Sequence, residues 1–450
     1  MPTTQIESTN SENQSNNEGS RSLIKSVIRV LFTRGLGPVS SFVLMFLLAR
    51  LLGAEASGAF YLSITMMMLL SILAKFGFDT ALQRLAGIAV MLEDWAKARA
   101  IYRKSMIISF LFSLILAVAI LALSPILAPV VLKNSEYANV LNVINISIIP
   151  FSLLGIQAAM LKAMGKPAWG GFIEVAALPT MTILLLSVVS VFTTFSALSV
   201  SICYLAATVF TALLGWIVVQ KSFPASAGVT IVSTRSLLAS CIPLTLIELM
   251  NYGMLWTPFL FLGIFSDGAE AGSYNVAYRL SAQLGLLIIV LSSITAPRFA
   301  SFHDADDMTG FMDLAQRSTR MLVLLGIFPV GILVCWPGFI LNIFGTEFTA
   351  ASTSLVILAA GQMFNLVTGP VGYLLAMTGN EKTLRNILII TTLLTIILSA
   401  VLIPTFGASG AAMAVSISMV FNNLACCFQV QKRLNLPFLL VFGSRAGAGG

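Results

Sequence analysis

The sequence predicts an all-α, polytopic membrane protein built as two pseudo-symmetric six-helix lobes around a central cavity. Three observations support this fold class. Hydrophobic residues make up 58% of the 450 residues and charged residues only 10%, and a water-soluble globule could not cover so much apolar material with polar surface. The hydrophobic residues are grouped in long runs, and a short turn sequence from the first half of the chain returns in the second half.

Each apolar run is long enough to cross the hydrocarbon core as a helix, which satisfies its own backbone hydrogen bonds. We distinguish about twelve runs of roughly 20 residues. They cover residues 25–49, 58–82, 104–126, 139–162, 168–192, 196–219, 236–264, 273–296, 319–343, 351–376, 384–404 and 408–430.

The repeated turn is GAEASGAF at Gly53–Phe60, which returns as GAEAGSYN at Gly268–Asn275. A shift of about 214 positions also aligns VQK at Val219 with VQK at Val430, and the common order of such matches indicates a duplicated unit. Because each unit holds an even number of spans, both enter the membrane from the same side. We expect the two lobes to be related by an axis along the membrane normal.

The repeat and the composition together set the predicted domain boundaries. The first residues are polar and are expected to form a disordered tail. The predicted units are a polar tail at 1–22, an N-lobe at 23–220, a cytoplasmic linker at 221–235, a C-lobe at 236–433 and a C-terminal tail at 434–450.

Lysine and arginine are concentrated in the N-terminal tail and the even-numbered loops, whereas the odd-numbered loops hold little beyond Arg50 and Lys133. Loops rich in these residues remain cytoplasmic. We therefore expect both termini in the cytoplasm. The net charge of +7 is interpreted as orientation and contact with anionic membrane lipid, not as nucleic-acid binding.

Residue types that carry catalysis or bind metals are not arranged for those tasks. The five cysteines lie within or at the edge of apolar runs and are interpreted as small core residues. The single histidine, His303, lies in a loop, and no nucleotide-binding P-loop is present. We predict no enzymatic activity, no catalytic residue, no metal and no cofactor.

Three basic residues within apolar runs are the substrate-binding candidates, because a charge at membrane depth indicates a partner or a transport pathway. Arg34 lies in RGLGP, whose glycines and proline permit a bend. Lys75 lies four residues before Asp79, so the two can neutralise each other, or Lys75 can face a watery cavity and meet an anionic ligand. Arg279 can contact headgroups, pair with a nearby carboxylate or line the cavity.

The candidates for gating or for coupling to a cation are three acidic residues, Glu248, Asp79 and Glu174. The shift of about 214 positions places Glu248 over Arg34. These two side chains either meet only when one mouth of the cavity closes, or form a permanently buried ion pair. Glu174 can pair with Lys162 or Lys166.

Amide side chains add polar groups at the depth of the spans. Most are interpreted as links between helices, and some as contacts to a sugar. They are Asn142, Asn145, Gln157, Asn251, Gln283, Gln362, Asn365 and Asn422.

Three segments resemble the Wzx polysaccharide flippases of the multidrug, oligosaccharidyl-lipid and polysaccharide exporter superfamily. They are ARLLGAEASGAFYLS at Ala49–Ser63, FGFDTALQRLAG at Phe76–Gly87 and AMGKP at Ala163–Pro167. The resemblance extends over essentially the whole chain, although these motifs specify the fold better than the cargo.

The resemblance implies an inner-membrane carrier that moves an undecaprenyl-diphosphate-linked oligosaccharide from the cytoplasmic to the periplasmic leaflet by alternating access, for O-antigen or exopolysaccharide synthesis. It also implies that arginines on the first and eighth helices line a cationic cavity, which here would be Arg34 and Arg279. A polysaccharide polymerase, export machinery and a coupling cation are the further partners that it implies.

Other functions remain open at this point. An ion-coupled multidrug exporter would share the fold, and the mixture of charges at membrane depth does not exclude it. A lipid II flippase typically has two further spans. A polytopic glycan polymerase or glycosyltransferase would need catalytic side chains and a large outer loop, whereas the predicted outer loops are short.

Overall fold

The computed structural model describes the backbone of residues 4–191, 195–224, 230, 233–434 and 437. Within these ranges, side chains are described from Leu36 onward, except at 135, 235–236, 239–240, 243, 247, 251, 293–294 and 297. Most of the predicted C-terminal tail and part of the predicted linker lie outside the described residues. The predicted domain boundaries therefore stay predictions.

The first half of the chain forms α-helices α1 to α8. Their bounds are Thr4–Lys75, Phe78–Met91, Trp95–Val131, Ala138–Ile146, Ile148–Ala163, Pro167–Gly171, Leu178–Val189 and Ala197–Ser222. α1 thus includes most of the stretch that the sequence assigned to a polar tail. A 3-10 turn, Ser135–Tyr137, precedes α4, and a π-helical stretch, Phe172–Ala177, joins α6 to α7.

The second half forms α9 to α15. Their bounds are Thr234–Phe265, Gly268–Asp304, Met308–Cys335, Pro337–Asn342, Ser352–Thr368, Val371–Met377 and Glu381–Leu434. A 3-10 helix, Thr346–Ala351, precedes α13.

Glycines with positive φ divide the two longest helices. Gly53 in α1 has φ 72° and Gly407 in α15 has φ 52°, a region that residues with a Cβ rarely adopt. The predicted span 58–82 ends earlier than expected, at Lys75, because Phe76 and Gly77 also have positive φ, 50° and 66°. The chain turns there into α2.

Within the described residues, nine helices are long and apolar enough to cross a membrane. The bends at Gly53 and Gly407 divide two of these helices, and Tyr252–Phe265 in α9 adds a shorter apolar segment. The chain is therefore an all-α, multi-pass membrane protein, as predicted. Its described helices are consistent with two lobes of six.

Buried hydrophobic side chains form three clusters among the described residues. The largest contains residues from both halves, such as Phe60 and Phe348. A second cluster, which includes Phe78, belongs to the first half and the start of α9, where Cys241 lies. The third, which includes Phe299, belongs to the second half alone. The two halves therefore share one core but also have separate cores away from it.

At the repeated turn, the backbones of α1 and α10 approach each other closely. A Cβ at Gly58 would overlap the carbonyl oxygen of Gly268, and a Cβ at Gly272 would overlap that of Ala54. Small residues allow two helix backbones to come this near. The Ala54 amide also donates a hydrogen bond of 3.0 Å to Oε2 of Glu347 in the other half. We call Ala54, Gly58, Gly268 and Gly272 the glycine contact.

Candidate functional site

A second contact between the halves is ionic. Lys75 Nζ lies 2.7 Å from Asp79 Oδ2 and 2.8 Å from Glu248 Oε1. From Ala54 and Gly58 to Lys75 a helix advances about 32 and 26 Å, close to the thickness of the hydrocarbon core. The two contacts therefore lie near opposite faces of the membrane. We call Lys75, Asp79 and Glu248 the ion contact.

The break between α1 and α2 builds the ion contact. It lets Asp79, in the first turn of α2, turn back toward Lys75, the last residue of α1. It also lets α9 pass close by, since a Cβ at Gly77 would lie only 2.8 Å from the carbonyl oxygen of Cys241. On the other side, Gly155 of α5 leaves room for the Lys75 stem, because a Cβ there would lie 3.0 Å from Lys75 Cδ.

The ion contact carries one carboxylate more than its single ammonium can neutralise. The side chains of Lys75, Asp79 and Glu248 are only 12%, 18% and 16% exposed, so water screens them weakly. Oε2 of Glu248 has no hydrogen-bond partner among the described residues. The site can therefore accept a proton or a further cation without losing the Lys75 bridge.

The structure thus brings together three of the six predicted site residues, Lys75, Asp79 and Glu248. Among the described side chains, the cation that contacts Glu248 is that of Lys75. The side chain of Arg34 lies outside the described residues, so its predicted pairing with Glu248 stays a prediction.

Arg279 lies elsewhere, in a cavity that the second half shares with the first. Its Nε donates a hydrogen bond of 2.8 Å to Oδ1 of Asn275, one turn earlier in α10, and its guanidinium carbon lies 4.8 Å from the centre of the Tyr61 ring. The cavity has a volume of about 230 Å³, and its lining includes Tyr61, Tyr204, Glu174 and Arg279. We call it the Arg279 cavity.

Several polar groups in the Arg279 cavity have no partner among the described residues. The terminal guanidinium nitrogens of Arg279 donate no hydrogen bond there, and the buried hydroxyl of Tyr61 finds no partner either. The tyrosine face and the Asn275 amide hold the guanidinium in place. The free edge of a fixed guanidinium is suited to an anion with two oxygens.

Glu174 lines the Arg279 cavity from the π-helical stretch between α6 and α7. Of its two predicted partners, the structure pairs it with Lys162, in an ion pair whose side chains are 26% and 46% exposed. Lys166 instead donates a hydrogen bond of 2.8 Å to Ser222. Glu174 therefore lies close to Arg279 without neutralising it.

Three residues of these contacts were not predicted as site residues from the sequence: Tyr61, Tyr204 and Glu347. An aromatic residue inside an apolar run is normally a core residue, so the two tyrosines gave no separate signal. Glu347 lies in a loop-like stretch, and only the fold shows that it reaches Ala54.

Comparison with known proteins places the chain among polysaccharide biosynthesis proteins. Residues 47–353 match the family described as "Polysaccharide biosynthesis protein". Over 190 residues the chain is 26% identical to the "Probable low-salt glycan biosynthesis flippase Agl15" of Haloferax volcanii, covering 42% of this chain and 40% of the relative. Over 207 residues it is 29% identical to the "Probable flippase AglR" of the same organism, covering 45% and 43%. Each match spans less than half of the relative's length.

Solved structures with the same fold include two transporters. The lipid II flippase MurJ in an inward closed conformation has a TM-score of 0.72 and 16% identity, covering 90% of this chain and 87% of the other. An inward-facing multidrug resistance MATE family transporter has a TM-score of 0.71 and 11% identity, covering 90% and 98%. At these identities the likeness shows the fold alone.

Proposed function

Since the chain belongs to the polysaccharide biosynthesis protein family, we propose that it is a flippase for a lipid-linked oligosaccharide. Its cargo is an undecaprenyl-diphosphate-linked glycan, which it moves from the cytoplasmic to the periplasmic leaflet of the inner membrane by alternating access. The names of its Haloferax relatives, both flippases, support this function.

The observation that carries the proposal is the free edge of Arg279 inside a cavity between the halves. A diphosphate cannot cross hydrocarbon unaided, because it loses its hydration there. The guanidinium replaces that hydration with charge-assisted hydrogen bonds, and the Tyr61 hydroxyl offers one more. The lipid tail remains in the bilayer beside the seam between the halves, where α1 meets α9 and α10.

The ion contact supplies the gate. When it is formed, Lys75 bridges Asp79 and Glu248 and joins α1 to α9. When it breaks, the halves separate at that face and Lys75 becomes available to the diphosphate. Lys75 therefore exchanges one anionic partner for another as the cavity opens, and Arg34 adds a second guanidinium to the path.

The unpartnered oxygen of Glu248 marks the place where an ion couples to this gate. A metal cation bound there removes the excess negative charge while Lys75 keeps both carboxylates, which stabilises the closed form. A proton neutralises Glu248 itself and weakens its attraction to Lys75. Asp79 belongs to the same cluster, and Glu174 offers a second carboxylate in the Arg279 cavity. A polysaccharide polymerase and export machinery would act on the delivered glycan.

A multidrug exporter is the second candidate, because the Arg279 cavity has aromatic and apolar walls and one carboxylate, Glu174. Such walls suit cationic drugs. Arg279 opposes this assignment, since it would repel them. Lipid II flippase and polymerase activities have no comparable observation in their favour.

The test is the export of surface polysaccharide by a deletion strain that carries the variant gene. Arg279→Ala should abolish export and make the lipid-linked oligosaccharide accumulate, whereas Arg279→Lys should restore export only in part because an ammonium lacks the planar fork. The matched control is Arg317→Ala, which removes an arginine from an exposed pair with Asp313. Wild-type export by Arg279→Ala at equal protein level would contradict the proposal.

A further inference from the structure

The second half contains a cavity that the proposed function does not use. It has a volume of about 360 Å³ and lies among α9, α10, α13, α14 and α15. Four amide side chains line it: Gln362, Asn365, Asn422 and Asn423. Among the described residues that line it, none carries a charge. We call it the amide cavity.

Three of the four amides keep hydrogen-bonding groups free. Asn365 Nδ2 donates to Gln362 Oε1 at 3.3 Å, and Asn422 Oδ1 accepts a long bond of 3.4 Å from Thr391. Within the described residues, Gln362 Nε2, Asn365 Oδ1 and Asn422 Nδ2 have no partner. Asn423 differs, because it accepts from Thr368 at 3.1 Å and donates to the Met419 carbonyl at 2.9 Å.

The wall of the amide cavity includes a break in a helix. α13 ends at Thr368, and Gly369, with φ 79°, and Pro370 separate it from α14. Both Gly369 and Pro370 line the cavity. Non-helical backbone at membrane depth occurs where it is buried in protein or lines a polar cavity. The break therefore adds backbone polar groups to a wall that the amides already make polar.

The chemistry of the lining selects a neutral, hydroxyl-rich occupant. An amide donates with its nitrogen and accepts with its oxygen, so it matches hydroxyl groups, which do both. A diphosphate would find no cation among the described lining residues, and a cationic drug would find no carboxylate. Apolar side chains such as Met254, Ile288 and Met419 cover the remaining wall and suit the C–H faces of sugar rings. The volume is near the lower end for small-ligand pockets, about 300–1,000 Å³.

The amide cavity and the Arg279 cavity adjoin neighbouring faces of one helix. Tyr278 lines the first and Arg279, the next residue of α10, lines the second, and consecutive residues of a helix project about 100° apart. A cargo whose diphosphate lies at Arg279 and whose first sugars extend around α10 between these faces would reach both.

We infer that the amide cavity binds one or two uncharged sugar residues of the cargo while the Arg279 cavity holds its diphosphate. This inference rests on the proposed function, and it adds a glycan subsite to it. Gln362, Asn365 and Asn422 recognise the sugar hydroxyls there.

The experiment compares two probes on the purified protein in lipid nanodiscs. One probe is undecaprenyl diphosphate, and the other is the lipid-linked oligosaccharide extracted from cells in which the flippase gene is deleted. The wild type should bind the oligosaccharide more tightly. Gln362→Met combined with Asn422→Leu keeps the side-chain volumes nearly constant. This double variant should reduce the preference for the oligosaccharide over undecaprenyl diphosphate by about thirtyfold, as expected for two lost hydrogen bonds. Its affinity for undecaprenyl diphosphate should stay unchanged.

Asn386→Leu is the matched control, because Asn386 is an exposed amide on α15 outside the amide cavity. It should keep the full preference for the oligosaccharide. If the wild type binds neither probe, the proposed function fails. If it binds both and the double variant keeps the preference, only the glycan subsite is refuted.

Discussion

The two contacts that join the halves of this protein use opposite chemistry. At the glycine contact, the backbones of α1 and α10 meet directly and no side chain lies between them. At the ion contact, about 26–32 Å away along α1, the halves meet through the tips of Lys75 and Glu248. A contact made by backbone depends on shape and tolerates no added volume, whereas a contact made by charged tips depends on protonation, salt and competing ions. The difference supports the proposal that ligands control the ion contact.

Filling the glycine contact should have the largest effect on export. Gly58→Ala places a Cβ against the carbonyl oxygen of Gly268, where no side-chain rotation can relieve the overlap. Overpacking of this kind costs about 1–3 kcal/mol, which should shift closure at this end by about ten- to hundredfold. We expect export of surface polysaccharide to fall accordingly.

Gly331→Ala is the control for this change, since nothing lies within 4 Å of its added Cβ. It should export normally. Normal export by Gly58→Ala at equal protein level would show that the glycine contact is not needed.

A double-mutant cycle at the ion contact measures the next largest effect. Lys75→Met leaves two carboxylates without their cation, and Glu248→Gln removes one of the carboxylates. Because the two charges are 2.8 Å apart, their coupling free energy should be about 1–3 kcal/mol when thermal unfolding is followed in detergent.

A parallel cycle on Arg34 and Glu248 tests the pairing predicted from the repeat. Equal coupling in both cycles would mean that Glu248 exchanges between two cations. Additive stability losses for Lys75 and Glu248 would remove the ion contact as a gate.

Removing the Glu347 carboxylate should have a smaller effect. It caps the Ala54 amide across the seam, and loss of a helix cap costs about 0.5–2 kcal/mol. Glu347→Ala should therefore lower both stability and export. Glu270→Ala is the control, because Glu270 caps the Ala408 amide within the second half. It should lower stability alone, and an equal loss of export would show that Glu347 has no specific role at the seam.

Added salt should have the smallest effect, and it should act on the ion contact alone. Raising the ionic strength from about 0.1 to 1 M shortens the Debye length from about 10 to 3 Å. Cysteine pairs placed beside the ion contact should then cross-link more slowly, by less than about twofold because the site is largely buried. Pairs beside the glycine contact should be unaffected. An equal response at both ends would contradict the assignment of separate chemistries.

Local patterns in the sequence were enough to predict the fold class and some of the site. The apolar runs predicted helices, and the spacing of four residues on one helix predicted that Lys75 and Asp79 can pair. They do pair, but across the break between α1 and α2 and not on a continuous helix. The repeat located the glycine contact, although glycine in a turn was interpreted only as part of a duplicated motif. Its role follows from packing, which a single sequence does not show.

Contacts distant in sequence were not predictable in the same way. Lys75 and Glu248 are 173 residues apart. The local sequence around either residue does not predict that they are in contact. The repeat instead predicted Arg34 as the partner of Glu248, because an alignment of two repeats matches equivalent positions and not residues in contact. The place of Arg279 against Tyr61 also depends on how α10 packs on α1.

The glycine contact is reciprocal under a shift of 214 positions, one fewer than the 215 that align the two GAEA turns. Gly58 meets Gly268, and the equivalents of these residues, Gly272 and Ala54, meet each other. Such reciprocity is the property of an isologous interface between identical subunits. An ancestral protein of one six-helix unit could therefore close this end as a homodimer, and gene duplication needed to add nothing there. The ion contact is not reciprocal in this way, because the position equivalent to Lys75 is the apolar Ile289. One end of the molecule thus has the symmetry of a dimer interface, and the other end does not.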